Sequence, residues 1–195
     1  MFLIIGLGNP EEKYKNTRHN IGREIVAEWQ KKEDFADFAF EKKWNAYISK
    51  NKSAILCLPE TFVNKSGNAV APAARFYKIK PKDIIVIHDD ADIELGRTKM
   101  AYNKSSAGHK GVDSVQKALK TEAFWRLRIG IQPPIRASQA KNGKKKRVEA
   151  LKLVLQKFAP AEHMALKKLK KKIFTGLALI LEKGPEMAMN EINRN

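Results

Sequence analysis

Short apolar runs alternate with segments of helical periodicity along most of the chain, and this order strongly limits the possible folds. Five runs predict strands, at residues 2–5, 46–49, 54–58, 84–87 and 127–131. Between the runs, apolar residues recur at helical spacing: Ile21, Ile25, Val26 and Trp29; Val70, Ala74 and Tyr77; Val112, Val115 and Leu119. This alternation predicts an α/β fold, a twisted, mixed and mostly parallel sheet with helices on both faces.

One domain is expected to span residues 1–195, because the length suits a single core and no repeat or second core is visible. After residue 131 the composition changes, and residues 136–147 predict an exposed basic loop. Helices are expected at 148–158 and at about 161–181, the second one rich in lysine. Residues 184–195 are expected to form a short polar tail.

Charge is the second constraint on function. The chain has 38 Lys and Arg against 21 Asp and Glu, a formal net charge of +17. Such an excess indicates a polyanionic partner, nucleic acid first and an anionic membrane surface second. No apolar run approaches the roughly 20 residues that span a bilayer, and no basic leader precedes the first apolar run. The single Cys57 is expected to be a small buried apolar residue, so a reducing, cytoplasmic compartment is predicted.

Polar residues follow three of the predicted strands. Asn9 and His19 follow the first, Asn64 lies in the segment after 54–58, and His88 and Asp89 end the run at 84–87. In open α/β sheets, the carboxyl ends of the strands hold the ligand site. We therefore expect these side chains to meet at one edge of the sheet.

This set of side chains suits the attack of water on an acyl group. A histidine can take the proton from water, a carboxylate can fix its tautomer and stabilise the imidazolium, and amides can donate to the developing oxyanion. No serine nucleophile elbow and no Cys–His signature competes with this interpretation.

Each motif also has a simpler interpretation. Gly6-x-Gly8 after a strand can begin a dinucleotide site, but the third glycine is missing and Pro10 fits poorly. His88 with Asp89 and Asp92 can bind a metal, although clustered acids at a strand end are more often turn formers and caps. Asn64 can cap a helix that starts near Ser66 instead of acting in catalysis. His109 can be catalytic, RNA-contacting or structural.

Seven motifs in a fixed order closely resemble bacterial-type peptidyl-tRNA hydrolases. They are Gly6-Leu7-Gly8-Asn9-Pro10 with Tyr14, Thr17-Arg18-His19-Asn20-x-Gly22, Pro59-x-Thr61-Phe62-x-Asn64-x-Ser66-Gly67, His88-Asp89 with Asp92 and Gly96, Gly108-His109-x-Gly111, Arg126-Leu127-Arg128-Ile129-Gly130-Ile131, and Val154-Leu155-x-Lys157-Phe158. The resemblance covers roughly residues 1–160. Several motifs in register are specific where any one alone is not.

The resemblance implies an esterase that cleaves the bond between the peptide and the terminal ribose of peptidyl-tRNA, with no metal or organic cofactor. His19 would be the general base and Asp89 its orienting partner. Asn9 and Asn64 would hold substrate or water and stabilise the tetrahedral intermediate. Tyr14 would contact the substrate near the reacting end.

Binding of tRNA is assigned partly by the resemblance and partly by charge. Arg128 would form one arm of a clamp for the tRNA terminal phosphate. The clamp lysine of the family aligns with Ala101, and Lys99 and Lys104 lie close enough to replace it. With the basic run at 144–147 they are expected to contact acceptor-stem phosphates. The family also implies a monomer with no obligate protein partner and no membrane association.

The chain departs from the family pattern near the expected cleft. Glu11 stands where the family has glycine, and Lys110 where it has a substrate-binding asparagine. The preceding loop, 103–107, is not glycine-rich. A lysine ammonium only donates hydrogen bonds, whereas an amide also accepts, so an altered substrate cleft is expected. This loop also keeps open a rival function, a non-catalytic RNA-binding relative of the family. A third possibility, a membrane binder built on the last long helix, is less favoured, since its apolar residues fit a face packed on the domain.

Overall fold

Residues 1–133 and 149–194 are described in a computed structural model of the chain. Within them, seven strands form one mixed sheet in the order β2-β3-β4-β1-β5-β7-β6. The strands are β1 Phe2–Gly6, β2 Ala39–Glu41, β3 Ala46–Lys50, β4 Ala54–Pro59, β5 Ile84–Glu94, β6 Thr98–Tyr102 and β7 Trp125–Gln132. The four central strands β4, β1, β5 and β7 are parallel, and β2, β3 and β6 pair antiparallel at the two sides. Parallel pairing thus occupies the centre of the sheet, where the site residues were expected. Three of the six described strand pairs are antiparallel, so the sheet is mixed as predicted but not mostly parallel.

Helices cover both faces of this sheet. They are α1 Ile21–Gln30, α2 Gly67–Phe76, α3 Lys110–Leu119, α4 Ala150–Val154, α5 His163–Lys183 and α6 Pro185–Asn193. Because side chains alternate along a strand, β1 serves two cores. Ile4 packs with α1, α5 and α6, whereas Leu3 and Ile5 pack with α2 and α3. The predicted single-domain α/β architecture with helices on both faces is confirmed.

Close packing of α1 on the sheet explains two of the motif glycines. A Cβ at Gly22 would lie 2.2 Å from the carbonyl oxygen of Ile87, and one at Gly6 would lie 2.7 Å from the carbonyl oxygen of Gly22. Because neither glycine has a Cβ, α1, the helix that follows His19, can pack closely against β1 and β5. The glycines therefore serve helix–sheet packing.

All five predicted strands are present, and two more were missed. The short edge strand β2 is mostly exposed, and β6 buries only Met100 among its five residues. β5 runs seven residues beyond its predicted end, to Glu94. Cys57 is fully buried in β4 as expected, and burial raises the pKa of its thiol to about 12.

The carboxyl-terminal part needs two corrections. The helix expected at 148–158 is shorter, because α4 ends at Val154. The residues expected to form a short polar tail instead form α6, which buries Ala188 and Ile192 and joins β6 through hydrogen bonds between Asn193 and Met100. Two apolar residues on a short helix were too weak a signal in the sequence. The predicted basic loop at 136–147 lies outside the described residues.

Candidate active site

A cleft of about 360 Å³ opens beyond the carboxyl end of β1, beside the second half of β5. Its polar side is formed by Asn9, His19, Asp89, His109 and Lys110. The apolar part of the lining comes from the α4 region, chiefly from Leu151, Val154 and Leu155. The structure thus brings four of the predicted site residues together, Asn9, His19, Asp89 and Lys110, and adds an apolar wall that sequence reasoning did not find.

Asp89 is the centre of the polar side. Its carboxylate is 2% exposed, and its Oδ1 lies 2.7 Å from Nδ1 of His19 and 2.9 Å from Nε2 of His109. His19 reaches it from the 3₁₀ turn Arg18–Asn20 that leads into α1, while His109 reaches it from the start of α3. One buried carboxylate oxygen therefore holds two imidazole rings, whose centroids are 5.2 Å apart.

The hydrogen bonds assign different roles to the two histidines. Nδ1 of His109 accepts from the backbone N–H groups of Gly111 and Val112, at 3.1 and 3.2 Å, and so caps α3. Its Nε2 must then carry the proton that is donated to Asp89. His19 donates to Asp89 through Nδ1, which leaves its Nε2 with a free lone pair in the neutral ring. His19 can accept a proton, whereas His109 acts as a helix cap and a second donor to Asp89.

Burial and charge shift the pKa values of this cluster. Burial lowers the pKa of His19, but the charge and hydrogen bond of Asp89 raise it more, so the net pKa lies above the ordinary value of 6.5. Burial raises the pKa of Asp89, yet His109 and His19 together hold it well below its usual range. Asp89 is therefore ionised throughout the physiological pH range and can stabilise a protonated His19.

Asn9 presents a fixed amide beside His19. Its Oδ1 accepts a hydrogen bond of 2.9 Å from the backbone N–H of Val63. Its own backbone N–H and carbonyl are both held by the side chain of Asn20, each at 2.9 Å. With Oδ1 occupied, Nδ2 of Asn9 is the group that remains to donate to a bound carbonyl or oxyanion. Asn20 thus supports the site, a role that its place in the Thr17–Gly22 motif could have suggested.

Two predicted substrate-binding residues lie outside the lining of the cleft. Asn64 is exposed in the 3₁₀ turn Val63–Lys65, directly after the residue that donates to Asn9. It does not cap α2, because Ser66 is the N-cap residue there. Tyr14 is half-buried in the turn Glu12–Tyr14, where its ring lies 5.0 Å from Nζ of Lys13.

The predicted tRNA-binding residues Lys99, Lys104 and Arg128 lie outside the lining of the cleft, and together they are called the basic rim below. Lys99 of β6 pairs with Arg128 of β7 in the sheet register. Nε of Arg128 donates 2.7 Å to Oδ2 of Asp90, a residue that also lines the cleft. Lys104 is exposed in the loop before α3, where Asn103 and Ala107 both adopt a left-handed backbone with φ of 50°. These three cations lie outside the cleft itself, whereas Lys110 lies on its edge.

The metal interpretation of His88, Asp89 and Asp92 does not fit the geometry. His88 is buried, donates through Nδ1 to the carbonyl of Asp89 at 2.7 Å, and has a pKa far below its usual value because of burial first and His109 second. Among the described residues, the donor atoms of His19, Asp89 and His109 do lie within 4.8 Å of one another. However, both ring nitrogens sit at hydrogen-bond distance from one oxygen, which is the geometry of two hydrogen bonds to a carboxylate.

The lysine-rich helix α5 packs on the domain through its apolar side. Its buried residues are Leu166, Leu169, Ile173, Gly176, Leu177 and Ile180. This burial confirms the prediction that the apolar residues of α5 pack on the domain. Among the helices that the structure describes, none has the length and hydropathy needed to cross a bilayer.

Comparison with known proteins shows the family to which the chain belongs. The sequence model of the family described as "Peptidyl-tRNA hydrolase" matches residues 3–195. The chain is 39% identical over 194 residues to the peptidyl-tRNA hydrolase of Sulfurihydrogenibium sp., covering 98% of this chain and 97% of that one. It is 38% identical to that of Aquifex aeolicus, at 98% and 96% coverage. The crystal structure of peptidyl-tRNA hydrolase from Acinetobacter baumannii matches with a TM-score of 0.85 and 28% identity, over 99% of this chain and 94% of that one. The predicted resemblance is confirmed, and the chain belongs to the peptidyl-tRNA hydrolase family.

Proposed function

We propose that this chain hydrolyses the ester bond between peptide and tRNA in peptidyl-tRNA, with His19 as the general base. The observation that carries this proposal is the 2.7 Å hydrogen bond from Nδ1 of His19 to the buried carboxylate of Asp89, at the wall of the cleft. It leaves Nε2 of His19 as the proton acceptor. Membership of the family supports the substrate.

In the proposed reaction, Nε2 of His19 takes a proton from water as the water oxygen bonds to the ester carbon. Asp89 stabilises the resulting imidazolium. Nδ2 of Asn9 donates to the oxyanion of the tetrahedral intermediate, assisted by Asn64 from the neighbouring turn. The ester C–O bond then breaks, and the proton on His19 passes to the departing ribose oxygen. Free tRNA and the peptide acid are the products.

The tRNA is proposed to lie along the basic rim. Lys99, Lys104 and Arg128 would bind phosphates of the acceptor stem, with Arg128 held in place by Asp90. Phosphates carry no sequence information, so such a surface accepts many different tRNAs. Tyr14 would contact the substrate from its turn beside the site, and Lys110 would meet the peptide or a phosphate at the edge of the cleft.

Hydrolysis of N-acyl-aminoacyl-tRNA tests this proposal against the non-catalytic, RNA-binding alternative. We expect the wild-type chain to release free tRNA and N-acyl amino acid with multiple turnovers. His19→Ala should bind tRNA as the wild type does but turn over roughly 10²- to 10⁴-fold more slowly. Binding of tRNA by the wild type without cleavage would contradict the hydrolase assignment and favour the RNA-binding function.

The remaining expectations concern the state of the chain in the cell. We propose that it acts as a monomer in the cytoplasm, without an obligate protein partner. Sedimentation of the purified chain at assay concentration should give the mass of one chain. A dimer that loses activity on dilution would contradict this proposal.

A further inference from the structure

A buried ion pair joins the turn that carries His19 to the start of α5. Nη2 of Arg18 lies 2.6 Å from Oε2 of Glu162, and the two side chains are only 4% and 12% exposed. Arg18 immediately precedes His19, whereas Glu162 is 144 residues away along the chain. An arginine keeps its charge in any environment, so a buried one needs a paired anion.

Arg18 is held in a single orientation by further interactions. Nη1 donates 2.9 Å to the carbonyl of Ile131 at the end of β7, and the guanidinium lies 4.7 Å from the ring centroid of Phe158. Oε2 of Glu162 also accepts a 2.7 Å hydrogen bond from the backbone N–H of Ala159. The pair thereby fixes the path of residues 158–162 relative to the sheet.

The backbone reinforces the same junction. The N–H of Arg18 donates 2.9 Å to the carbonyl of Gln156, and Thr17 forms an isolated antiparallel bridge with Lys157. Residues 156–162 are therefore attached to the His19 turn through both backbone and side chains. Since these residues directly follow α4, the junction sets where the end of α4 lies relative to His19.

The α4 region has an exposed apolar surface that faces the cleft. Leu151 is 69% exposed and Leu155 is largely exposed, and both line the cleft together with His19. Within α4, Leu153 is fully buried in the core and Val154 packs against that core while partly buried. An exposed apolar surface beside a hydrolytic centre is suited to pack an apolar side chain of a substrate.

We propose that Arg18 and Glu162 form a positioning pair. The pair holds the apolar wall of Leu151 and Leu155 at a fixed distance from His19. At that distance the wall packs against the aminoacyl side chain of a substrate whose ester lies next to His19. This inference rests on the proposed function. It adds a substrate preference: apolar aminoacyl groups bind the cleft more tightly than glycine. We expect the pair to act on the wall and not on the proton transfer, because the side chains of Arg18 and Glu162 bond to each other, to Ile131 and to Ala159 rather than to His19 or Asp89.

The test compares Glu162→Gln with the wild type on two substrates, N-acyl-leucyl and N-acyl-glycyl groups carried on the same tRNA. We expect the KM for the leucyl substrate to rise about tenfold, the effect of removing an apolar interaction in a pocket. The KM for the glycyl substrate and both kcat values should stay within about twofold of wild type, since a small side chain needs no wall. The acid limb of the pH profile should not move.

Leu151→Ala removes the wall directly and tests the same interaction at an exposed position. It should raise the KM for the leucyl substrate as Glu162→Gln does. The double variant, Glu162→Gln with Leu151→Ala, should raise this KM no more than the single variant with the larger effect, because both changes remove the same interaction. Glu162→Asp, which keeps the carboxylate, should restore much of the leucyl KM. Glu28→Gln is the matched control, because Glu28 pairs with Lys170 between α1 and α5 and does not line the cleft; its KM values should equal those of wild type.

Three results would overturn the proposal: equal KM increases for both substrates, a loss of kcat with unchanged KM, or strictly additive effects of Glu162→Gln and Leu151→Ala. Amide hydrogen exchange gives a readout independent of activity. Exchange at residues 150–157 should accelerate in Glu162→Gln but not in Glu28→Gln, and unchanged exchange would also reject the pair as the anchor of α4. A wild-type chain that cleaves neither substrate would instead refute the proposed function. Amide hydrogen exchange would then still test whether the ion pair anchors α4.

Discussion

The Asp89 centre and the basic rim differ in how the fold constrains them. Asp89 is buried, and both histidines that contact it are fixed by the turn before α1 and by the N-terminus of α3. In the rim, Lys99 and Lys104 are exposed, and only Arg128 is held, by Asp90. A reaction centre of this kind depends on geometry within a fraction of an ångström, whereas a phosphate-binding surface depends mainly on charge. Substitutions should therefore affect kcat at the centre and affinity at the rim.

The largest effect is expected at the centre, from Asp89→Asn. The amide has no charge to stabilise the imidazolium and can hold His19 in the wrong tautomer, so kcat should fall roughly 10³- to 10⁴-fold. Steady-state kinetics and tRNA affinity should be measured together, and affinity should be unchanged. Asp113→Asn is the control, because Asp113 forms an exposed pair with Lys117 on α3. A decrease of less than tenfold in Asp89→Asn would show that the carboxylate is not needed.

His109→Asn probes the second donor on the same carboxylate. An asparagine can still cap α3 but no longer donates from the imidazole position. Without His109 the negative charge of Asp89 is less shared, so the pKa of His19 should rise further. We expect the acid limb of the kcat profile to move to higher pH, with kcat at its plateau reduced about tenfold. An unmoved limb would mean that His109 only caps the helix.

At the rim, Lys99→Ala with Lys104→Ala should weaken tRNA binding and leave single-turnover cleavage of bound substrate unchanged. For every phosphate that is no longer neutralised, the slope of log affinity against log salt should become shallower by about 1. The slope is measured by titrating tRNA between low and physiological salt. Lys52→Ala is the control. Lys52 is an exposed lysine in the turn between β3 and β4, which lie towards the edge of the sheet opposite to β6. Equal slopes for the double variant and wild type would remove these lysines from the interface.

The smallest effect is expected from Lys110→Asn at the border between the two regions. An asparagine there can accept as well as donate, so the KM for a neutral N-acyl-aminoacyl-tRNA should fall roughly threefold, the worth of one ordinary hydrogen bond. The value of kcat should not change. Identical KM and kcat for Lys110→Asn and wild type would reject an altered cleft at this position.

The sequence predicted those parts of the molecule that have strong local signals. Continuous apolar runs identified every central strand. The polar residues that follow those runs predicted that His19 and Asp89 meet, and their hydrogen bond is found, although Asp89 lies within β5 and not at its end. β6 was missed because Lys99 and Ala101 alternate with only one buried residue, Met100. α6 was missed because its packing depends on α5, which no local pattern reports.

Long-range pairing explains what the sequence could not predict at the site. The sequence allows three roles for His109, and the hydrogen-bond partners of its two ring nitrogens decide between them. The ion pair of Arg18 with Glu162 and the apolar wall of Leu151 and Leu155 join segments far apart in the chain. Such interactions follow from the completed fold and not from spacing along the sequence.

The pH dependence of single-turnover cleavage tests the role of His19 most directly. A general base acts only when it is deprotonated, and Asp89 raises the pKa of His19 against the opposing effect of burial. We expect the wild-type rate to rise with pH through a midpoint above 6.5, the ordinary pKa of histidine, and then to level off. His19→Ala should be slow at every pH and lack this limb. A wild-type profile without the limb, or the same limb in His19→Ala, would contradict general base catalysis by His19.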